Sequence, residues 1–166
     1  MNKSMHPTTT PKRGEYPELA ELASNVALVL ALRERGELHF QIARQVVKGA
    51  VWWASNALGR NYKSLYWTSD AIQYQADNPK WVQGNGLINE HVIPRTLLEK
   101  KLLDTPTPST EDVLSVLKLS FTCLVTAEEN DDKLSGPLRA KMPKAWKWGD
   151  DPFARYRDTG ITWHKR

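Results

Sequence analysis

Two short segments of the chain carry side chains suited to metal-assisted acid–base chemistry. Glu-His-Val-Ile-Pro occupies positions 90–94, and Thr-Ala-Glu-Glu-Asn-Asp-Asp-Lys occupies positions 126–133. Glu90 supplies a hard oxygen ligand, His91 a base that is largely neutral near pH 7, and Asn130 an amide oxygen. One carboxylate, one amide oxygen, waters and a phosphate oxygen are a donor set that suits Mg²⁺. The two segments therefore predict a metal site beside a phosphate, where His91 deprotonates an attacking water.

The residue pattern around these segments predicts two strands and a helix. LINEHVIP (87–94) is short, β-branched and closed by proline, and FTCLVT (121–126) indicates a second strand. A helix should follow over 127–134, because Thr126 and Glu129 have the spacing of a capping box. Asn130 would lie in its first turn, near the positive dipole end that attracts phosphate. Since neighbouring strand residues point to opposite faces, the first strand must end, twist or bulge at Glu90 and His91.

These elements resemble the HNH nuclease motif and its ββα-metal fold, most of all the HNH domain of the RNA-guided CRISPR effector nucleases. The resemblance covers about residues 86–136. It implies that Glu90 is the metal-binding acid, His91 the general base, and Asn130 the second metal ligand and a catalytic residue. It also implies hydrolysis of phosphodiester bonds with one divalent ion, Mg²⁺ by default and Mn²⁺ or another divalent cation otherwise. No asparagine lies between Asn89 and Asn130, so Thr126 or a backbone carbonyl would have to orient His91.

The flanking sequence predicts helices on both sides of the first strand. Residues 1–16 lack periodicity and indicate a flexible arm, after which Pro17 opens a helix that Gly36 ends. A second helix should run over 38–58 and close at Gly59, with an apolar face of Ile42, Val46, Ala50, Trp53 and Ala57. Shorter helices are expected after a Thr68 or Ser69 cap, over 95–103, and over 110–119 with Ser109 or Thr110 as its cap.

Composition describes one ordinary soluble domain. The 166 residues are 40% hydrophobic and 25% charged, enough for a real core without disulfides or structural metal. Cys123 is the only cysteine, which excludes an internal disulfide and suits a reducing cytosol, and its apolar strand predicts a buried thiol. No apolar run approaches the roughly 20 residues of a membrane helix. The N-terminus is positively charged but has no apolar segment typical of a secretory signal. We therefore expect a cytoplasmic protein without a membrane partner.

The basic excess lies in the C-terminal fifth. The net charge is +4, and residues 136–166 hold eight Lys or Arg against three Asp. Aromatic residues interleave with these charges, which fits a groove that tracks a phosphate backbone; the alternative is a strap that packs its aromatics over the core. The residues expected to contact nucleic acid are Arg95, Lys133 and Arg139 near the motif, and Lys144, Lys147, Arg155 and Arg157 in the tail.

Together these observations predict an α+β fold, mostly helical, in which several helices wrap a ββα-metal core. One domain should span 17–166, with a helical part (17–78), the motif (86–136) and a basic aromatic segment (137–166). The predicted function is a metal-dependent endonuclease acting on DNA, with RNA as an open alternative substrate. A two-strand cut by one small active site would suggest a homodimer. Two alternatives stay open: a catalytically degenerate HNH-fold protein that binds nucleic acid or a partner, and a helical regulatory protein in which the motif is coincidence.

Overall fold

The computed structural model describes residues 19–59, 64–79, 86–136 and 138–166. Its elements in chain order are α1 (Leu19–Glu34), α2 (Phe40–Ala57), β1 (Tyr66–Thr68), α3 (Ser69–Asp77), β2 (Leu87–His91), α4 (Arg95–Asp104), α5 (Thr110–Leu117), β3 (Thr122–Thr126), a π-helix (Glu129–Leu134), α6 (Ala154–Asp158) and β4 (Trp163–Lys165). The predicted arm (1–16) and the helix start at Pro17 lie outside the described residues. The predicted mixed α+β, mostly helical class is confirmed.

Local sequence signals end and cap the helices where they were expected. Gly36 follows α1 and Gly59 follows α2, both with the positive φ that glycine tolerates. Thr68 caps α3 by accepting a hydrogen bond from the Ala71 amide at 3.1 Å. Ser109 opens α5 in a reciprocal capping box with Asp112. Within the part of the chain that is described, none of these helices is long and apolar enough to cross a membrane.

Four helices share one apolar core. Helices α1, α2, α4 and α5 pack around a cluster of mainly Ala, Val and Leu side chains, and α4 and α5 form the connection between β2 and β3. The buried face of α2 differs from the predicted one: Ala50 is buried, but Ile42, Val46, Trp53 and Ala57 are exposed. The residues that do face the core are Ala43, Val47, Ala50, Val51 and Ala54. Small side chains let neighbouring helices approach closely, so they occupy the packed side.

A four-stranded sheet in the order β2-β3-β1-β4 stands beside the helices. Strands β2 and β3 are antiparallel, β1 is parallel to β3, and β4 is antiparallel to β1. β1 and β4 have only three residues each and were not predicted from the sequence. The sheet therefore has two more strands than the pair that the sequence predicts, and β2 forms one of its edges.

The two faces of the sheet carry different partners. One face, here called the tail face, bears Glu90, Cys123 and Val125 and packs against Leu134 of the π-helix and the C-terminal segment around Phe153 and Tyr156. The opposite face, here called the α3 face, bears Trp67, Leu87 and Leu124 and packs against Ala71 of α3. Alternation along β2 assigns each candidate side chain to one of these faces.

Candidate functional site

Glu90 and His91 are the last two residues of β2, on the edge of the sheet. In the antiparallel pair, Glu90 lies opposite Cys123 and His91 opposite Thr122, so the register is regular through His91. No bulge interrupts this pair; the strand instead ends directly after His91. Alternation then directs Glu90 to the tail face and His91 to the α3 face. Both side chains are half-buried, and they can serve one site only around the strand end.

The Glu90 carboxylate forms an ion pair with the guanidinium of Arg155. Arg155 is completely buried, and it also donates hydrogen bonds to the carbonyl oxygens of Leu138 at 3.0 Å and of His91 at 3.1 Å. The expectation that Arg155 lies at the surface is wrong, because its side chain is completely buried. Its contact with nucleic acid stays a prediction, and burial makes it the weakest of the seven candidates. Its charge instead ties the end of β2 to the C-terminal segment.

A small polar cluster lies on the α3 face beside the strand end. The buried hydroxyl of Ser64 donates to Asn89 Oδ1 at 2.9 Å and shares a 2.8 Å hydrogen bond with Thr122 Oγ1. Thr122 is also the cross-strand neighbour of His91, at the separation where paired side chains interact. Sequence reasoning missed Ser64 and Thr122, because the strand register places Thr122 opposite His91, and Ser64 joins the cluster only through its hydrogen bonds to Thr122 and Asn89.

Thr126 does not have the predicted role of orienting His91. It pairs with Leu87, at the other end of β2, and forms the expected capping box with Glu129. The Glu129 amide donates to Thr126 Oγ1 at 3.1 Å, and the Thr126 amide donates to Glu129 Oε2 at 2.9 Å. Thr68 of β1 donates to the same carboxylate oxygen at 2.7 Å. These bonds confirm the predicted helix start and fix it to the neighbouring strand.

Asn130 lies one residue beyond the capping box, in the π-helix and half-buried. Its amide nitrogen donates to Asp131 Oδ1 at 2.8 Å, and its backbone carbonyl accepts from the Ser135 amide at 2.7 Å. Leu134 of the same helix packs into the tail-face core with Cys123. The Glu90 side chain and the helix that bears Asn130 therefore lie on the same face of the sheet. The His91 side chain is directed to the other face and can approach them only around the strand end.

Two ionisable groups buried under the tail face, Cys123 and Tyr156, are held in their neutral forms. Burial, with a smaller contribution from the charge of Glu129, raises the pKa of the Cys123 thiol far above its ordinary range. Burial is also the main reason that the pKa of the Tyr156 hydroxyl is raised. Cys123 is buried as predicted, and a neutral thiol is neither a nucleophile nor a metal ligand.

Six of the seven predicted phosphate-contacting residues are exposed. Lys133, Arg139, Lys144 and Lys147 project from the surface of the π-helix and the tail. Arg95 pairs with the buried carboxylate of Glu99 at 3.0 Å, and Arg157 pairs with Asp151. Ion pairing reduces the charge that these two arginines offer to a phosphate. The stronger candidates for phosphate contact are therefore the four residues that have no salt bridge to Asp or Glu in the described structure: Lys133, Arg139, Lys144 and Lys147.

The aromatic residues of the tail pack largely against the protein itself. Trp146 contacts the helical core and donates from its indole nitrogen to the Asp151 carbonyl at 3.0 Å. Phe153 stacks on Trp163 with ring centroids 4.4 Å apart, and Tyr156 is completely buried. Trp148 remains exposed at the surface. The tail is thus a packing strap through most of its aromatics, and its lysines face solvent.

Neither a group of metal-ligating side chains among the described residues nor similarity to a known protein identifies the site. Among the described residues, no three His, Cys, Asp or Glu side chains are grouped so as to hold a metal ion. Comparisons with models of protein families, with curated proteins and with solved structures found no match to this chain. The functional conclusion therefore depends on the residues and geometry described above.

Proposed function

We propose that the protein is a metal-dependent endonuclease of the HNH type that hydrolyses phosphodiester bonds of DNA. The observation that carries this proposal is the order of elements around His91. An antiparallel pair, β2 and β3, leads directly into a capped helix that bears Asn130, and His91 ends the first strand. This is the order that the ββα-metal core requires, although α4 and α5 are inserted between its strands.

In this proposal His91 is the general base, and Glu90 and Asn130 hold the ion. The donor atoms are oxygens of the kind that Mg²⁺ or Mn²⁺ takes: Asn130 uses its amide nitrogen on Asp131, so its amide oxygen is the atom to coordinate. A bound divalent ion would stabilise the negative charge that develops on the phosphate. His91 would accept the proton of the attacking water, with its cross-strand neighbour Thr122 to restrict the imidazole.

A second candidate function follows from the Glu90–Arg155 ion pair. The guanidinium already neutralises the carboxylate that would attract a cation, which lowers the affinity of this position for metal. An HNH-type fold whose acid is bound in this way could bind nucleic acid without cleaving it. The exposed Lys133, Arg139, Lys144 and Lys147 would supply such binding in either case.

The decisive experiment is incubation of supercoiled plasmid with the purified protein in Mg²⁺, Mn²⁺ or chelator. We expect nicked or linear product with metal and none with chelator. His91→Ala should lower the rate by at least about 100-fold, the contribution typical of a general base. His164→Ala is the matched control, because His164 is exposed on β4 at the opposite edge of the sheet.

Two outcomes would contradict this proposal. Full activity in His91→Ala would exclude His91 as the base, and plasmid retention without turnover in any metal would favour the second candidate. Retention can be measured in the same samples by gel shift, so that loss of cleavage is separated from loss of binding. A single-stranded RNA of matched length, tested in parallel, separates the two substrate classes.

A further inference from the structure

A cleft between α4 and the C-terminal tail combines an exposed indole with two ammonium groups. Its cavity volume is about 300 Å³, at the low end of the range for sites that hold a small ligand. The four α4 residues that line it are spaced so that they share one side of the helix. The full lining, here called the Trp148 cleft, consists of Leu97, Lys100, Lys101, Asp104, Thr105 and Trp148.

Trp148 is fixed in place although its side chain is accessible. The ring of Trp146 lies edge-to-face against it, with ring centroids 5.1 Å apart. Trp146 is itself anchored, because it packs on the helical core and donates to the Asp151 carbonyl. Trp148 nevertheless remains 39% exposed. A held aromatic surface of this kind suits stacking of a planar ring, since little conformational freedom is lost on binding.

The charges of the Trp148 cleft leave one ammonium group for an anion. Lys100 pairs with Asp104, one helical turn away. Lys101 has no salt bridge to Asp or Glu in the described part of the chain, and its Nζ lies 5.7 Å from the centroid of the Trp148 ring. Asp112 lines a neighbouring cleft beside Lys101, but its carboxylate is used in the cap of α5. An anionic group bound by Lys101 would therefore lie within reach of the indole.

We propose that the Trp148 cleft binds one unpaired nucleotide of a nucleic-acid strand, with its base against the indole and its phosphate at Lys101. Proteins hold single strands by this combination, because an aromatic surface stacks on any base and a nearby cation binds the phosphate. The base must be unpaired, since both of its faces are covered inside a duplex. Lys147, next to Trp148 in the chain, is exposed and can contact a further phosphate, which favours a strand over a free nucleotide.

The choice of nucleic acid as the ligand rests on the proposed function, whereas the binding itself requires no cleavage. Helix α4 begins four residues after His91, a distance of at most about 14 Å. With a rise of about 1.5 Å per residue, Lys101 lies about 9 Å along this helix from Arg95. A strand of several nucleotides can therefore contact both the proposed catalytic site and the Trp148 cleft.

The first test measures binding of a fluorescently labelled oligothymidylate to the full chain in chelator, where the proposed nuclease cannot act. Trp148→Leu should raise the dissociation constant about 10-fold, within the range for loss of one base–aromatic stack. Trp52→Leu is the matched control: Trp52 is 38% exposed on α2, and its loss should leave binding unchanged. Trp148→Phe keeps an aromatic ring and should retain most of the affinity. Circular dichroism of each variant checks that the fold is kept.

The second test separates the base from the phosphate. A chain of abasic nucleotides of the same length carries the same charge without rings, so the wild type should bind it about 10-fold more weakly, and Trp148→Leu should bind both chains alike. Lys101→Gln should weaken both chains equally and make the slope of log affinity against log salt shallower by about 0.7, the value for one phosphate contact on a single strand. Lys48→Gln removes the same charge from another half-buried position, on α2, and should not.

Three results would overturn the proposal. The first is equal binding by Trp148→Leu and Trp52→Leu, and the second is a preference for oligothymidylate over the abasic chain that survives Trp148→Leu. The third is competition by thymidine monophosphate at the same concentration as oligothymidylate, which would assign the cleft to free nucleotides. Because every sample contains chelator, an inactive nuclease that stacks a base is distinguished from an active one that does not.

Discussion

At the scale of single residues, Arg155 changes the interpretation of Glu90, the carboxylate among the candidate metal ligands. A guanidinium that is completely buried needs a partner, and the carboxylate of Glu90 supplies it together with two backbone carbonyls. The sequence contained no signal for this pair, because its members are 65 positions apart. Spacing rules detect partners within one element, and an ion pair between a strand and a distant helix falls outside them.

The ion pair makes Glu90→Ala a test of stability before it is a test of metal binding. Removing the carboxylate leaves Arg155 charged and buried without its partner, which should cost about 3–5 kcal/mol in the free energy of unfolding. The double variant Glu90→Leu/Arg155→Met should recover most of this loss, because a packed apolar pair replaces both charges. Urea unfolding of the single and double variants measures both effects. A loss within about 0.5 kcal/mol for Glu90→Ala would show that Arg155 has no need of this carboxylate.

Asn130 offers the cleaner test of the proposed metal site. Its side chain is half-buried and bonds only to the adjacent Asp131 in the hydrogen bonds described, so Asn130→Ala should alter stability little. If its amide oxygen is a ligand, the Mg²⁺ concentration for half-maximal cleavage should rise at least about 10-fold, since even outer-shell partners contribute that much. Asn25→Ala, at an exposed position of α1, is the control. Unchanged metal dependence of Asn130→Ala would remove Asn130 from the site.

At the scale of elements, the helices of the structure agree closely with those predicted from the sequence, because the signals that form and end a helix are local. Periodicity, the caps at Thr68 and Ser109, and the capping box at Thr126 all act within a few residues, and each is present in the structure. β1 and β4 escaped prediction because each is three residues long and exists only through pairing with distant strands. The α2 face was misassigned because periodicity locates an apolar stripe without saying which neighbour covers it.

The C-terminal tail combines two roles that sequence composition could not separate. Trp146, Phe153 and Tyr156 pack against the core, and the buried Arg155 belongs to the same packing. Lys144 and Lys147 are exposed in the same segment. One segment thus contains both the residues that pack against the core and the exposed basic residues, and only the exposed ones are suited to bind phosphate.

If Lys144 and Lys147 contact DNA, changing both to Gln should weaken binding equally for all sequences. The slope of log affinity against log salt should become shallower by about 0.9 for each phosphate contact that is lost. Arg44→Gln/Lys118→Gln removes the same charge from exposed positions of the helical layer and should leave the slope unchanged. Fluorescence anisotropy with a labelled duplex at several salt concentrations measures both variants. Identical slopes in the two double variants would exclude the tail as a DNA-binding element.

At the scale of the whole molecule, the sheet buries two groups whose ionisation opposes folding. Cys123 and Tyr156 lie under the tail face, and burial raises the pKa of each in the folded chain. In the unfolded chain a thiol ionises near pH 8.5 and a tyrosine near pH 10. The unfolded state therefore releases these protons first as the pH rises. Stability should be constant with respect to both groups below about pH 8 and should fall above it.

The fall should begin with Cys123, at about 1.4 kcal/mol for each pH unit above the ordinary thiol pKa, and should steepen once tyrosine ionises in the unfolded chain. Cys123→Ala lacks the thiol, so its free energy of unfolding should stay flatter between about pH 8.5 and 10 even if its value at pH 7 is lower. Urea unfolding at intervals from neutral to alkaline pH gives both curves. The comparison concerns slopes, so a cavity left by the shorter side chain does not affect it. If the free energies of unfolding of the wild type and of Cys123→Ala change in parallel with pH through this range, the thiol already ionises in the folded protein. The tail face would then be open to water at β3.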